Sequence, residues 1–330
     1  MNAAIPLMAI PSAAVGLQLQ VRAIRYQAEG INAFDLMHPE GEQLPEVEAG
    51  AHVDVHLPGG HVRSYSLAGN PRDRLRWTLG VLREPNGRGG SRSLHDNVRV
   101  GELLTLGEPR NAFKLKRGAD HVILIAGGIG VTPLKAMAHE LMEQGVSFEM
   151  HYCARSWRNV AFLDELQTLV PKDRLCLHLD GGDPARGLNL VTLLADPGTG
   201  RHVYYCGPAG FMNACADATS HWPAGTVHCE HFKAPVQKAV SMADGTFEVK
   251  LARSGVTVQV APDQTIVRAI ELAGHRIPTS CLSGLCGSCK VNYLEGEVDH
   301  QDYILSDEEK RTCLTTCVSR CRSATLVLDL

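Results

Sequence analysis

Four cysteines toward the C-terminus, Cys281, Cys286, Cys289 and Cys317, are set as C-x4-C-x2-C with the fourth further along the chain. Thiolates at this spacing hold a [2Fe–2S] cluster. Three ligands on one short loop reach both irons only where the backbone turns sharply, and Gly284 and Gly287 supply that freedom. The fourth arrives from a distant strand and closes the cage. The competing readings are a zinc site or buried free thiols. Zinc motifs pair two Cys or Cys/His knuckles, and no second knuckle is present. The chemistry implied is one-electron transfer.

A source for the electrons is written in two glycine-bearing turns. Gly127-Gly128-Ile129-Gly130-Val131-Thr132-Pro133 follows the apolar run Val122–Ala126 and opens a helical pattern. Small residues there let the backbone approach a pyrophosphate, and a helix N-terminus adds free N–H groups and a positive dipole. Thr132 suits the N-cap and Pro133 the first helical position. The second turn, Cys206-Gly207-Pro208-Ala209, again follows an apolar strand. Two such turns at the carboxyl ends of parallel strands mark the crevice where open α/β sheets bind dinucleotides. Cys206 suits the wall of a nicotinamide site, where little side-chain volume fits; its plainer reading is a small buried residue. Arg155-Ser156 stands where an acidic residue often follows the second strand. Arg155 and Arg158 could therefore grip either the diphosphate or a 2′-phosphate.

A third group suits a flavin. In Arg63-Ser64-Tyr65-Ser66 the arginine offers a charged fork for a phosphate, the tyrosine a flat face and hydroxyl, and Ser66 a short donor. Asn86-Gly87-Arg88-Gly89-Gly90-Ser91 could form an anion nest of successive N–H groups, or a plain glycine-rich hairpin turn.

The elements that carry these residues fall into three blocks. Residues 17–117 alternate apolar and polar in short runs cut by turns, as an antiparallel barrel does. Examples are Leu17–Ile24, Ala51–Leu57 and Leu75–Leu82. Residues 118–232 switch to strand–helix alternation, with strands at Val122–Ala126, Phe148–Tyr152, Leu175–Leu179 and Val203–Cys206. One helix carries the stripe Leu134, Met137, Ala138, Leu141, Met142, and another Phe162, Leu163, Leu166, Leu169. That rhythm predicts a parallel α/β sheet. Residues 233–244 read as a polar linker and 1–16 as a tail. Within 245–330 a hairpin (Phe247–Leu251, Val256–Val260) and a short helix over Thr265–Ala273 precede the cysteine loop.

Composition agrees with a multidomain chain of 330 residues, 44% hydrophobic and 21% charged. A formal net charge of -4 argues against a nucleic-acid partner. Eleven cysteines in a long chain suit a reducing cytoplasm. No Lys or Arg precedes the apolar part of the N-terminus, and Pro6 and Pro11 break it, so no secretory leader or membrane span is expected.

The order of Arg63-x-Tyr65-Ser66, Gly89-Gly90-Ser91, the Gly127–Pro133 turn, Cys206-Gly207-Pro208 and the ferredoxin cysteines resembles the phthalate dioxygenase reductase family. Vanillate O-demethylase reductases share that layout. The resemblance implies an antiparallel β-barrel flavin domain, an α/β NAD domain of ferredoxin-reductase type and an α+β plant-type ferredoxin domain of β-grasp form. It further implies FMN held by Arg63, Ser64, Tyr65, Ser66, Gly80, Val81, Leu82, Gly89, Gly90 and Ser91. NADH would take Gly127, Gly128, Gly130, Thr132, Pro133, Arg155, Cys206, Gly207, Pro208 and Phe232, with Ser66, Thr132 and Cys206 around the reacting rings. By resemblance Cys317, which opens Cys-Val-Ser-Arg, is the fourth cluster ligand in preference to Cys313 or Cys321. A hydride would pass from nicotinamide to FMN, and single electrons would leave through the cluster to a Rieske-type terminal oxygenase; a P450 or other haem partner is the alternative. The chain would act as a cytoplasmic monomer. Ser306 and Glu309 read as a capping box. The acids Glu295, Glu297, Asp299 and Asp302 read as a patch steering the oxygenase.

Overall fold

The computed structural model describes residues 16–233 and 245–330. Apart from Gly16 and Lys233, the expected tail and linker lie outside the described residues.

The first block is β1 (Leu17–Ala28), β2 (Ile31–Met37), β3 (His52–Leu57), β4 (His61–Ser66), β5 (Trp77–Leu82), α1 (Gly90–Asn97) and β6 (Leu103–Leu106). Its six strands form an antiparallel sheet in the order β4-β3-β6-β1-β2-β5. A bridge between Leu67 and Leu79 draws the two edge strands together and closes the barrel. Leu19, Val21, Phe34, Leu36, Val53, Val55, Leu79 and Leu106 fill it. The expected third strand begins at Trp77, not Leu75, and Leu75 is exposed.

The second block holds β7 (His121–Gly127), α2 (Val131–Gln144), β8 (Ser147–Ala154), α3 (Leu163–Leu169), β9 (Leu175–Leu179), α4 (Leu190–Leu193), β10 (Arg201–Cys206), α5 (Ala209–Ala218) and β11 (Val227–Glu230). All its strand pairings are parallel, in the order β11-β10-β7-β8-β9. Val122, Leu124 and Ala126 face one core and Ile123 and Ile125 the other, which is why β7 reads as an unbroken apolar run. On α2, Leu134, Met137, Ala138 and Leu141 are buried, but Met142 is 36% exposed at the end of the stripe.

Barrel and α/β block share a core, in which Ile31, Ala33, Ala68 and Phe113 pack with Leu124, Val131 and Tyr204. A charged network runs through the seam. Arg25 bonds Asp35 at 2.8 Å and Glu165 at 2.7 Å, and Lys135 bonds Glu165 at 2.7 Å and the Ala68 carbonyl at 2.9 Å. Lys135 is buried on α2, and an ammonium so placed is tolerable only when paired and hydrogen-bonded. Burial lowers its pKa from the ordinary lysine value.

The third block comprises β12 (Phe247–Leu251), β13 (Thr257–Val260), α6 (Ile266–Leu272), β14 (Lys290–Glu295), β15 (Val298–Asp299), β16 (Cys313–Thr315), β17 (Arg320–Cys321) and β18 (Thr325–Leu328). Its main sheet runs β13-β12-β18-β14-β16, with β12 and β18 parallel and the other pairs antiparallel. Thr265 caps α6, accepting from the Arg268 amide at 3.3 Å. Ser306 and Glu309 form the reciprocal capping box, but it opens a single 3-10 turn, Glu309–Arg311, not an α-helix.

Candidate electron-transfer site

Strand β4 organises the flavin side. Its register against β3 sets Arg63 opposite Val55, Ser64 opposite Asp54, Tyr65 opposite Val53 and Ser66 opposite His52. Partners directly opposite share a face, so Arg63 and Tyr65 point one way and Ser64 and Ser66 the other. Arg63 donates to the Arg88 carbonyl at 2.9 Å, and its aliphatic stem occupies the space a Cβ on Gly90 would need. Burial, then the charge of Arg88, lowers the Arg63 pKa, and among the described residues neither guanidinium has a carboxylate partner. Gly89 takes φ 91° and ends the turn at the start of α1. The 86–91 segment is therefore a turn leading into a helix, not a hairpin. Two guanidiniums without a carboxylate partner among the described residues, beside a helix N-terminus, are a fitting receptacle for a phosphate. Ser91 Oγ accepts from the Glu84 amide at 3.0 Å, which fixes the turn. The Val81 side chain lies in the barrel core and its carbonyl bonds His95 at 2.9 Å; Leu82 is partly buried.

On the nucleotide side the two glycine turns touch. A Cβ on Gly130 would overlap the Cys206 carbonyl, and one on Gly127 would lie 3.0 Å from Pro208 Cδ and 3.2 Å from Gly207 Cα. Gly128 takes φ 55°. The cap of α2 differs from the expectation. Gly130 is the N-cap, Thr132 is already helical, and its hydroxyl donates to the Ile129 carbonyl at 3.0 Å. The 3-10 turn Gly128–Gly130 starts the helix earlier than the Thr-Pro pair suggests; Pro133 stays within the first turn, where its missing N–H is harmless. The Thr132 methyl sits 2.5 Å from where a Gly80 Cβ would be, so the nucleotide turn abuts β5 of the barrel. Arg155 is exposed just after β8, and its carbonyl receives the Gly181 amide at 2.9 Å. Phe232 is 39% exposed, two residues beyond β11.

At the seam, Ser66 Oγ donates to Glu230 Oε2 at 3.2 Å, and Glu230 ends β11 directly beside Cys206. His52 Nδ1 lies 3.9 Å from Glu230 Oε1. Burial pushes the Glu230 carboxyl up to about 8, against the lowering effect of Ser66. The same burial raises the Cys206 thiol well above its ordinary value, so it is neutral. Below pH 4.5 Glu230 is neutral both folded and unfolded. Between 4.5 and about 8 only the unfolded chain loses this proton, so folding stability falls by roughly 1.4 kcal/mol per pH unit and levels off above that. Glu230→Gln, neutral throughout, is expected to flatten this alkaline loss. Thermal unfolding from pH 5 to 9 checks it, and parallel curves for variant and parent would count against a protonated Glu230.

The cluster loop fits two irons. Cys281 lies within hydrogen-bond reach of Cys286, and Cys289 of Cys317, so the sulfurs form two pairs. Among the described residues no three Cys, His, Asp or Glu side chains converge on a single-ion site. The Ser283 and Leu285 amides each donate to Cys281 Sγ at 3.4 Å. Within each pair the hydrogen bond lowers one thiol and raises the other: Cys286 is lowered and Cys281 raised, Cys289 lowered and Cys317 raised. Gly284 and Gly287 take φ 69° and 72°, and a Cβ on Gly284 would lie 2.7 Å from Val318. Cys313 instead donates to Asn292 at 3.1 Å, and Cys321 contacts Ser323 at 3.1 Å. The loop sits on the barrel: Arg88 donates to the Cys281 carbonyl at 3.0 Å and Arg110 to that of Cys286 at 3.1 Å.

The acidic run is less free than its sequence suggests. Asp299 pairs with Arg322 at 2.7 Å, and Asp302 is buried, its carboxylate receiving the Ile304 and Leu305 amides. Only Glu295 and Glu297 are open to solvent.

Residues 124–217 match the oxidoreductase NAD-binding domain, and residues 249–322 the 2Fe-2S iron-sulfur cluster binding domain. The chain is 40% identical to phthalate dioxygenase reductase of Burkholderia cepacia, over 95% of this chain and 97% of that protein. It belongs to the phthalate dioxygenase reductase family. Another relative, 48% identical over 95% of this chain and 96% of its own, is the tert-butanol monooxygenase / tert-amyl alcohol desaturase reductase subunit of Aquincola tertiaricarbonis. A solved phthalate dioxygenase reductase, described as a modular structure for electron transfer from pyridine nucleotides to [2Fe–2S], superposes with TM-score 0.71 at 40% identity, covering 96% of this chain and 98% of that one. An intact type IV self-sufficient cytochrome P450 monooxygenase gives TM-score 0.89 at 37% identity, over 100% of this chain but 43% of that one. The chain thus spans less than half of that P450. Like other phthalate dioxygenase reductase family members, it is an NADH-dependent oxidoreductase. It is the reductase component of an oxygenase system, with a [2Fe–2S] cluster and NADH as cofactors.

Nothing in the local sequence singles out Glu230, His52, Asp54 or Arg110. Asp54 and His52 look like ordinary members of an alternating strand, and Glu230 like a strand end. Only their partners, far away in sequence, distinguish them.

Proposed function

We propose that this chain passes electrons from NADH to a separate Rieske-type oxygenase acting on a small organic substrate, as a cytoplasmic monomer. When bound, NADH supplies a hydride to FMN, and the [2Fe–2S] cluster carries the electrons onward singly. In this reading Arg63, Tyr65, Ser66 and the Gly89–Ser91 turn hold FMN, with backbone contributions from Gly80, Val81 and Leu82. The Gly127–Pro133 turn, Arg155, Cys206-Gly207-Pro208 and Phe232 hold NADH. Cys281, Cys286, Cys289 and Cys317 bind the cluster. Residues 17–117, 118–232 and 245–330 are the corresponding domains.

One contact carries the proposal. Arg88, on the turn assigned to the flavin phosphate, also holds the Cys281 carbonyl of the cluster loop. The flavin and cluster sites are thereby adjacent, as direct transfer requires. Among the described residues no helix is long and apolar enough to cross a membrane. The names of the relatives span phthalate, vanillate and tert-butanol, so substrate choice is assigned to the partner oxygenase. The likeness to a self-sufficient P450 favours a second reading, in which a haem protein accepts the electrons. Mixing the purified chain with candidate Rieske oxygenases and measuring substrate-dependent NADH consumption tests the proposal. Turnover with a P450 and none with any Rieske partner would favour the second reading.

Arg63→Ala is expected to weaken FMN retention by roughly tenfold to a hundredfold, the worth of a hydrogen bond to a charged group. Fluorescence titration of the apo-flavoprotein with FMN checks it. Unchanged affinity would remove Arg63 from the phosphate site.

A further inference from the structure

Asp54 joins two blocks of the chain through one carboxylate. Its side chain is 9% exposed. Oδ1 accepts from Ser64 Oγ at 2.7 Å and from Ser280 Oγ at 2.7 Å. Oδ2 accepts from Arg110 Nη2 at 2.7 Å and from Ser288 Oγ at 3.2 Å. A carboxylate has about four lone-pair directions, and all are used here. Ser64 and Arg110 belong to the barrel and hold Asp54 in place. Ser280 and Ser288 belong to the cluster loop and immediately precede Cys281 and Cys289. The carboxylate therefore grips the loop at both ends of its cysteine run, while Arg110 holds the middle through the Cys286 carbonyl.

From this geometry we infer that Asp54, with Arg110, is a positioning latch that seats the cluster loop on the back of the flavin strand. The inference rests on reading the four cysteines as cluster ligands. Asp54 lies opposite Ser64, between the positions facing Arg63 and Tyr65, so the latch bears on the strand assigned to FMN. Ser64, part of the arginine–tyrosine motif, thereby acquires a role on the face away from those two side chains. The latch is reversible in chemical terms. If the loop lifts, Asp54 keeps Ser64 and Arg110 and regains water, whereas a carboxylate stripped of every partner would be prohibitively costly to bury. Tunnelling between centres falls exponentially with their separation. Loosening the latch should consequently slow transfer from flavin to cluster without touching hydride transfer to the flavin.

Two variants approach the contact from opposite sides: Asp54→Asn on the barrel, and Ser280→Ala with Ser288→Ala on the loop. Each is to be studied as the full holoprotein. Rapid mixing with NADH under anaerobic conditions resolves flavin bleaching from cluster bleaching. Hydrogen–deuterium exchange of the 278–290 peptide reports seating of the loop independently of turnover. Expected is an unchanged flavin phase, a cluster phase slower by about tenfold or more, and exchange faster by a comparable factor, the value of one lost hydrogen bond to a charged group. Unchanged cluster phase and exchange in both variants, with cluster absorbance intact, would overturn the latch alone. Loss of cluster absorbance in both would also overturn it, because the residues would then be shaping the loop and not docking it. A parent chain without cluster absorbance would overturn the ligand reading and the latch together.

Discussion

Cys317→Ala is expected to abolish the visible and EPR signals of the cluster and to leave reduction of FMN by NADH intact. The sulfurs form two pairs, Cys281 with Cys286 and Cys289 with Cys317, and two irons need two thiolates each. With these four cysteines as ligands, loss of Cys317 would leave one iron a single protein ligand. Neither flanking cysteine is placed to substitute. Cys313 lies on β16 with its thiol on Asn292, and Cys321 is turned toward Ser323 and the Thr325 carbonyl. Both nucleotide turns and the flavin strand lie in other blocks, so hydride transfer should continue while electron delivery to the oxygenase stops. Iron analysis, absorbance and EPR of Cys317→Ala beside Cys313→Ala check this. A normal cluster in the first and a missing one in the second would reverse the assignment.

Gly130→Ala is expected to lower kcat/KM for NADH by roughly a hundredfold, the scale on which a misplacement of about 1 Å penalises a positioned reaction. The backbone at Gly130 is ordinary, with φ -62°, so the penalty is one of space. The added methyl would overlap the Cys206 carbonyl and lie 2.7 Å from the Gly207 amide nitrogen, both main chain and unable to rotate away. β7 and β10 are paired from Arg201–His121 to Cys206–Ala126, which keeps these two turns from separating without breaking the sheet. Gly128→Ala is the contrasting control. Its φ is 55°, but nothing lies within 4 Å of the new Cβ, so it should cost only about 1–2 kcal/mol of backbone strain. Steady-state kinetics with a one-electron acceptor, on protein retaining its flavin-to-cluster absorbance ratio, separates the two. Equal effects at both positions would mean that the turns are not packed against each other.

What could be read directly from the amino-acid order is what near neighbours dictate. The tight turns of the cysteine loop are legible in Gly284 and Gly287 because a few consecutive residues set its curvature. The glycine turns at Gly127 and Gly207 announce themselves because each ends an apolar strand and opens a helix. The change from period-two alternation to unbroken apolar strands separates barrel from parallel sheet, since one has a wet face and the other is covered on both. Where a helix begins was harder. Thr132-Pro133 has the composition of a helix start, yet a preceding 3-10 turn moves the cap to Gly130, a decision made by packing against Cys206. The acidic run read as a free patch, but Arg322 and the backbone of the 302–305 turn occupy two of its members.

Tertiary structure alone decided which polar residues matter between the blocks. Ser66 meets Glu230 from 164 residues away, and Asp54 meets Ser280 from 226 away. No local pattern marks such pairs, because each partner taken singly is a polar residue on an alternating strand or loop. Their roles arise from strand register, which puts Ser64 and Ser66 on the face opposite Arg63 and Tyr65, and from docking, which presses that face against other parts of the chain. Burial there makes of two otherwise ordinary surface acids a fully bonded carboxylate, Asp54, and a carboxyl whose pKa is pushed up, Glu230.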